Sequence, residues 1–150
     1  MKTISQILFE STKKRVQSFT ELAELNTKGK KPKIEKYCAI GAVGCENKYI
    51  KIIKYTTTWG EMEYRLGGLD EEKQILRNAG IPSKIINQDF RSFITTDAIK
   101  DIAKHDANQL SDKLPLHTLI MTLNDSCEWT FDQIGREIEK LETRGIIFYA

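Results

Sequence analysis

Residues 37–49 read Tyr-Cys-Ala-Ile-Gly-Ala-Val-Gly-Cys-Glu-Asn-Lys-Tyr, and the reading of this stretch decides the fold. Tyr37, Cys38, Gly41, Ala42, Cys45 and Tyr49 recur at spacings of three, four and seven, which places them on one side of a helix. That side is made of small residues, so another stretch of backbone can approach it closely. The spacing predicts a buried central helix.

Working toward the N-terminus, Ile4, Ile7, Leu8 and Ser11 predict a first helical stripe. Phe19, Leu22, Ala23 and Leu25–Asn26 predict a second, the two forming one helix or a bent pair. Asn26-Thr27-Lys28-Gly29 stops the helix, and residues 27–36 read as an exposed basic loop.

In the other direction, Ile50, Ile52, Ile53, Tyr55 and Thr56–Thr58 have strand propensity but no evident hairpin partner. Leu69–Ala79 reads as a short helix, with Asp70, Glu71 and Glu72 at its positive end and Gly80 closing it. From Ile81 through Phe93 the pattern is irregular. Thr95 or Thr96 then caps a helix over Asp97–His105, whose apolar edge is Ala98, Ile99 and Ile102. Leu114, Leu116, Leu119, Ile120 and Leu123 predict a further helix with Pro115 in its first turn.

The last helix has the clearest local grammar. Thr130 and Gln133 form a capping box, with Trp129 and Ile134 placed as a hydrophobic staple across it. Phe131, Ile134, Ile138 and Leu141 make the buried stripe, Glu137 and Lys140 the wet face. Arg144-Gly145 ends the helix and leaves residues 145–150 as an apolar tail, which packs on the core, adds a strand or docks on another subunit. These elements predict one compact domain over residues 1–150. It is mainly α, with five to seven helices and at most a minor β element around 50–58 and 146–149.

The composition agrees with that class, being 40% hydrophobic and 29% charged. A chain of 150 residues buries roughly two thirds of its unfolded surface, so it needs neither metal nor disulfides to fold. No apolar run approaches the ~18 residues of a membrane span, so no membrane partner is expected. Cys38, Cys45 and Cys127 make an odd count without a C-x-x-C pair, which points to a reducing, cytoplasmic location. The net charge of +2 hides an asymmetry. Residues 1–54 carry 12 Lys/Arg against 5 Asp/Glu, a net of +7, and residues 55–150 carry 11 against 16, a net of −5. Such an imbalance can favour head-to-tail self-association or draw an anionic partner to the first third, and a solvated basic loop within a folded dipole explains it more simply.

Five groups of residues bear on chemistry. Cys38 lies near a helix start beside Lys36, and His105, His117 and Asp125 could complete a nucleophile, base and orienter; a small-residue packing face explains Cys38 more simply. No metal site is expected, because Cys38-x6-Cys45 is not a zinc spacing and the two histidines lack a helical i, i+4 relation. Nor is a cofactor expected, since Gly41-Ala42-Val43-Gly44 lacks the Lys-Ser/Thr ending of a phosphate loop. Asn124-Asp125 reads first as a turn that satisfies open backbone groups between helices, second as a polar pair at a cleft. Finally, Lys28, Lys30, Lys31, Lys33 and Lys36 form a run of net +4 that could contact phosphates, without the arginines or interleaved aromatics of base reading.

Tyr37-Cys38-Ala39-Ile40-Gly41-Ala42 resembles the W/Y-C-x-x-G-A segment of a family of small phage and bacterial proteins that has no assigned activity. Asn124-Asp125, Thr130-Phe131 and Ile134 resemble that family's distal N-D-x-x-x-x-T-F-x-x-(I/V) segment. The resemblance implies a compact, mostly helical intracellular protein carried by a phage or mobile element. As neighbours, the Asn124-Asp125 turn could pack its amide or carboxylate against the start of the helix that carries Gly41 and Ala42, and Cys38 beside Asp125 would make either a buried anchor or a small pocket. The functional expectation is a non-enzymatic interaction protein that binds another protein or itself, with Cys38, Gly41, Asn124, Asp125 and Trp129 as candidate contact residues. The alternatives are a small hydrolase or transferase using Cys38, a histidine and Asp125, and nucleic-acid binding through Lys28–Lys36, with Lys30, Lys31 and Lys33 at its centre.

Overall fold

The computed structural model describes residues 1–69 and 71–150, and the expectation for Asp70 at the start of a helix lies outside them. Helix α1 (Ile4–Lys14) is followed by strands β1 (Ala23–Asn26) and β2 (Lys33–Tyr37), then α2 (Ala39–Glu46). Strands β3 (Lys51–Thr56) and β4 (Met62–Gly67) lead into α3 (Glu72–Asn78), α4 (Ser83–Ile86) and α5 (Thr96–Asp106). A 3₁₀ turn over Ala107–Leu110 precedes α6 (Leu116–Met121), a π-helical turn (Thr122–Ser126) and α7 (Phe131–Thr143). The chain is 46% helical with 15% in two small sheets, a helix-rich α/β fold in which the β part exceeds the minor element expected.

Each sheet is one antiparallel ribbon, β1 with β2 and β3 with β4. Two expectations are corrected by the first ribbon. The stripe from Phe19 to Asn26 is not helical: the Ser18 hydroxyl accepts from the Thr20 and Glu21 amides, turning the chain, and Ala23–Asn26 then pairs with Lys33–Tyr37. The basic loop is correspondingly shorter than residues 27–36, because Lys33 and Lys36 lie on β2. In the second ribbon, β3 finds its partner through a turn at Thr57–Glu61, with Gly60 at φ +81°.

Helix α2 occupies the centre. All residues from Ala39 to Gly44 are buried, so the helix is enclosed rather than one-sided, while Tyr37 belongs to β2 and Tyr49 lies beyond the helix. Helices α1 and α7 pack against each other across the chain's length. Gly135 opens room for the Phe9 ring, whose nearest carbons lie 2.8 and 3.0 Å from where a Cβ would stand. The caps expected at Thr95 and Thr130 are present, and Thr130 and Gln133 form the reciprocal capping box. Pro115 stands at the N-cap of α6, one position ahead of its first turn.

Glu137 departs from expectation. It is 3% exposed, and its carboxylate accepts from the Thr95 amide at 2.8 Å and the Thr95 hydroxyl at 2.7 Å. Facing the start of α5, it is a second-helix anchor for a helix N-terminus and not part of a wet face. The C-terminal tail forms no strand. Ile147 is buried, the Tyr149 hydroxyl bonds the Glu142 carboxylate and accepts from the Ile4 amide at 2.8 Å, and the Ala150 amide donates to Gly80 O at 2.8 Å.

Candidate functional site

The two motif segments meet. Asn124, fully buried in the π-helical turn, reaches the start of α2: its Oδ1 accepts from the Ala39 amide at 3.0 Å and from Gln17 Nε2 at 2.8 Å. Its Nδ2 donates to Ser18 O at 2.8 Å and to Asp125 Oδ1 at 2.7 Å. Both lone pairs and both protons of the amide are therefore used. Gln17 completes the hub by donating to Trp129 O at 2.7 Å and accepting from the Phe131 amide at 3.0 Å. Two side chains thus satisfy otherwise open amides in the first turns of α2 and α7. Gln17 had no legible role in the sequence, since its neighbours carry no motif and its partners lie more than 100 positions away.

Cys38 caps α2, its Sγ accepting from the Gly41 amide at 3.3 Å. It is 3% exposed, and burial pushes its thiol up to about 12, with the Asp125 charge adding to the effect. Asp125 is itself raised by burial, opposed by its bond from Asn124. These are the surroundings of a protonated packing thiol, opposite to those that activate a nucleophile. Among the described residues neither histidine makes a hydrogen bond to Cys38 or Asp125. Burial holds Cys45 and Cys127 up as well, each to about 11. Alkylation of the native protein at pH 8 is expected to be much slower at all three thiols than in the denatured chain, as counted by mass after timed iodoacetamide treatment; rapid native labelling of Cys38 would contradict the packing role.

On its outer side the π-helical turn borders a groove of about 440 Å³ lined by Glu72, Asp106, His117, Thr122, Asp125 and Ser126. The Ser126 hydroxyl donates to Asp106 at 3.1 Å, and burial lowers the His117 imidazole, whose Nδ1 has no partner among the described residues. Trp129 belongs to a different cleft, between α5 and α7, where its indole N–H donates to Asp101 at 2.6 Å. Among the described residues no three Cys, His, Asp or Glu side chains gather as metal ligands.

Both ribbons carry exposed features, and Met1, Val16, Phe19 and Phe148 are exposed elsewhere. Lys30, Lys31 and Lys33 are exposed, and none lies at the Asn124 hub. Trp59, at the tip of β3–β4, is 89% exposed, with Met62 and Tyr55 also open beside it. Trp59 stands beside Gly60, whose positive φ lets the ribbon turn, and its exposure there has no local sequence signal beyond that glycine. No helix of the described residues is long and apolar enough to cross a membrane. No family model matches the chain, nor does any curated protein or solved structure.

Proposed function

We propose that the chain is a non-enzymatic interaction protein whose binding element is the β3–β4 ribbon and whose partner is a second copy of itself. The observation that carries the reading is Trp59, a large aromatic side chain almost wholly in water at the tip of a two-stranded ribbon. Two-stranded ribbons are marginal alone and gain stability from added strands or a packed face. Here the distal half, from Lys54 to Glu63, is mostly exposed, and neither edge is paired among the described residues. Two ribbons meeting about a twofold axis would satisfy the free edge amides and carbonyls and cover Trp59, Met62 and Tyr55 together. The buried, protonated Cys38 supports this reading over one that needs a thiolate.

Sedimentation analysis from micromolar to near-millimolar concentration tests it. The expected result is a rise of mass from 17.2 kDa toward twice that value. In Trp59→Ala the association should weaken by roughly 30-fold, the effect of losing an aromatic anchor. A wild-type chain that stays monomeric throughout, or a dimer indifferent to Trp59→Ala, would refute the assignment.

A further inference from the structure

We infer that the β1–β2 ribbon and the last turn of α1 together form a surface for the phosphate backbone of duplex DNA. Cations from two segments line one groove there, and the end of α1 and the ribbon's turn add further lysines. Lys13 and Lys14 end α1; Lys28, Lys30 and Lys31 occupy the ribbon's turn; Lys33 and Lys36 lie on β2. The chain leaving α1 is fastened to β2, with the Tyr37 amide donating to Val16 O at 2.9 Å and the Ser18 amide to Tyr37 O at 2.7 Å. This fastening makes one groove of about 440 Å³ between them, lined by Lys14, Arg15, Lys33 and Lys36 with Glu35 as its single acid.

The charge there is only partly offset within the fold, with Glu24 standing across the ribbon from Lys36. All seven lysines are exposed, and none forms an ion pair with a described residue. Glu35 is engaged by the Asn26 amide at 2.9 Å, and Glu46 by Arg15 and Lys2. Lys13 and Lys14 also suit the negative end of α1, but a helix dipole does not account for five more lysines on a neighbouring ribbon. Counterion release from contacted phosphates would reward such a cluster.

Duplex is favoured over single strand because the site lacks an open stacking platform. Tyr37 is half-buried, and the Arg15 guanidinium sits 5.3 Å from its ring centre. A two-stranded ribbon fits the B-form major groove, whereas the deep, narrow groove of RNA duplexes excludes it. Lysines without free arginines at the tip imply positioning on phosphates and little sequence preference.

Fluorescence anisotropy with a short random-sequence duplex, its single strand, and phosphatidylserine-containing vesicles provides the test, using the full chain. The expected result is duplex binding whose affinity falls steeply with salt. In Lys30→Gln/Lys31→Gln/Lys33→Gln the slope of log affinity against log salt should shrink by about three, near one per lost contact. Lys100→Gln/Lys104→Gln, on α5, should bind like wild type. Absence of duplex binding at low salt, a slope unchanged in the triple variant, or preference for vesicles or single strand would each overturn the inference. It does not depend on β3–β4 association, because Trp59→Ala is expected to keep the same salt slope per chain.

Discussion

Replacing Gly41 with alanine is expected to remove about 3–5 kcal/mol of stability, the range of severe core overpacking. A Cβ at this position would stand 1.6 Å from Leu22 O and 2.6 Å from Leu22 C, both backbone atoms that cannot rotate away. Relief requires moving either α2, whose residues 39–44 are enclosed, or the stretch entering β1. Moving Leu22 breaks the hydrogen bond it accepts from the Cys38 amide at 3.0 Å and disturbs the register that begins at Ala23 and Tyr37. Against a typical total of ~5–15 kcal/mol, the loss should lower the melting temperature by roughly 10 °C or more, followed by circular dichroism. Gly29→Ala provides the contrast, because a Cβ there meets only Lys31 O at 3.7 Å and should change stability little. A Gly41→Ala protein as stable as wild type would mean that α2 and β1 do not approach as described.

The second large loss is expected at Asn124. Asn124→Leu removes four hydrogen bonds and strands the Ala39 amide, the Ser18 carbonyl and one proton of Gln17 in a buried place. Leaving such groups unpaired should cost about 3 kcal/mol, measured by urea unfolding. Combined with Gln17→Leu the loss should fall well short of the sum of the singles, since both act in one network. Asn124→Asp adds a distinct signature. It keeps the acceptors, loses the donor to Ser18 O, and places a carboxylate in a dry site beside Asp125. Its carboxyl would be raised above the unfolded value near 3.9, so the variant should lose stability as pH rises through that value and toward neutrality. Equal stability of wild type and Asn124→Leu would strip the hub of its structural role.

The short motifs that hold both residues, and the turn chemistry of Asn124, were legible in the sequence. So were the caps at Thr95 and Thr130, because capping depends on residues within four positions. What escaped was decided at long range. Glu137 sits at a position a helical wheel assigns to water, and only the arrival of Thr95, 42 positions earlier, buries it. Phe19–Asn26 carries a passable helical stripe, yet the chosen structure is a strand because β2 offers it a ladder and Ser18 turns the chain first. For β4, the apolar signal was weak, since no residue of Met62–Gly67 is buried and half of them are exposed. Gln17 illustrates the limit well: a polar residue in an unremarkable segment becomes a two-helix cap through partners no local pattern could name.

The pairing of α1 with α7 has a consequence for synthesis. The apolar stripe of Ile4, Ile7 and Leu8 on α1 is translated more than 100 residues ahead of α7, the helix that packs against it. At ribosomal rates of roughly 5–20 residues per second, that stripe waits on the order of ten seconds for its partner. During that interval the nascent chain can form its ribbons and α2, but it cannot close. Until α7 emerges, the newly made chain presents an uncovered amphipathic helix to whatever holdase or neighbour stands nearest the exit tunnel.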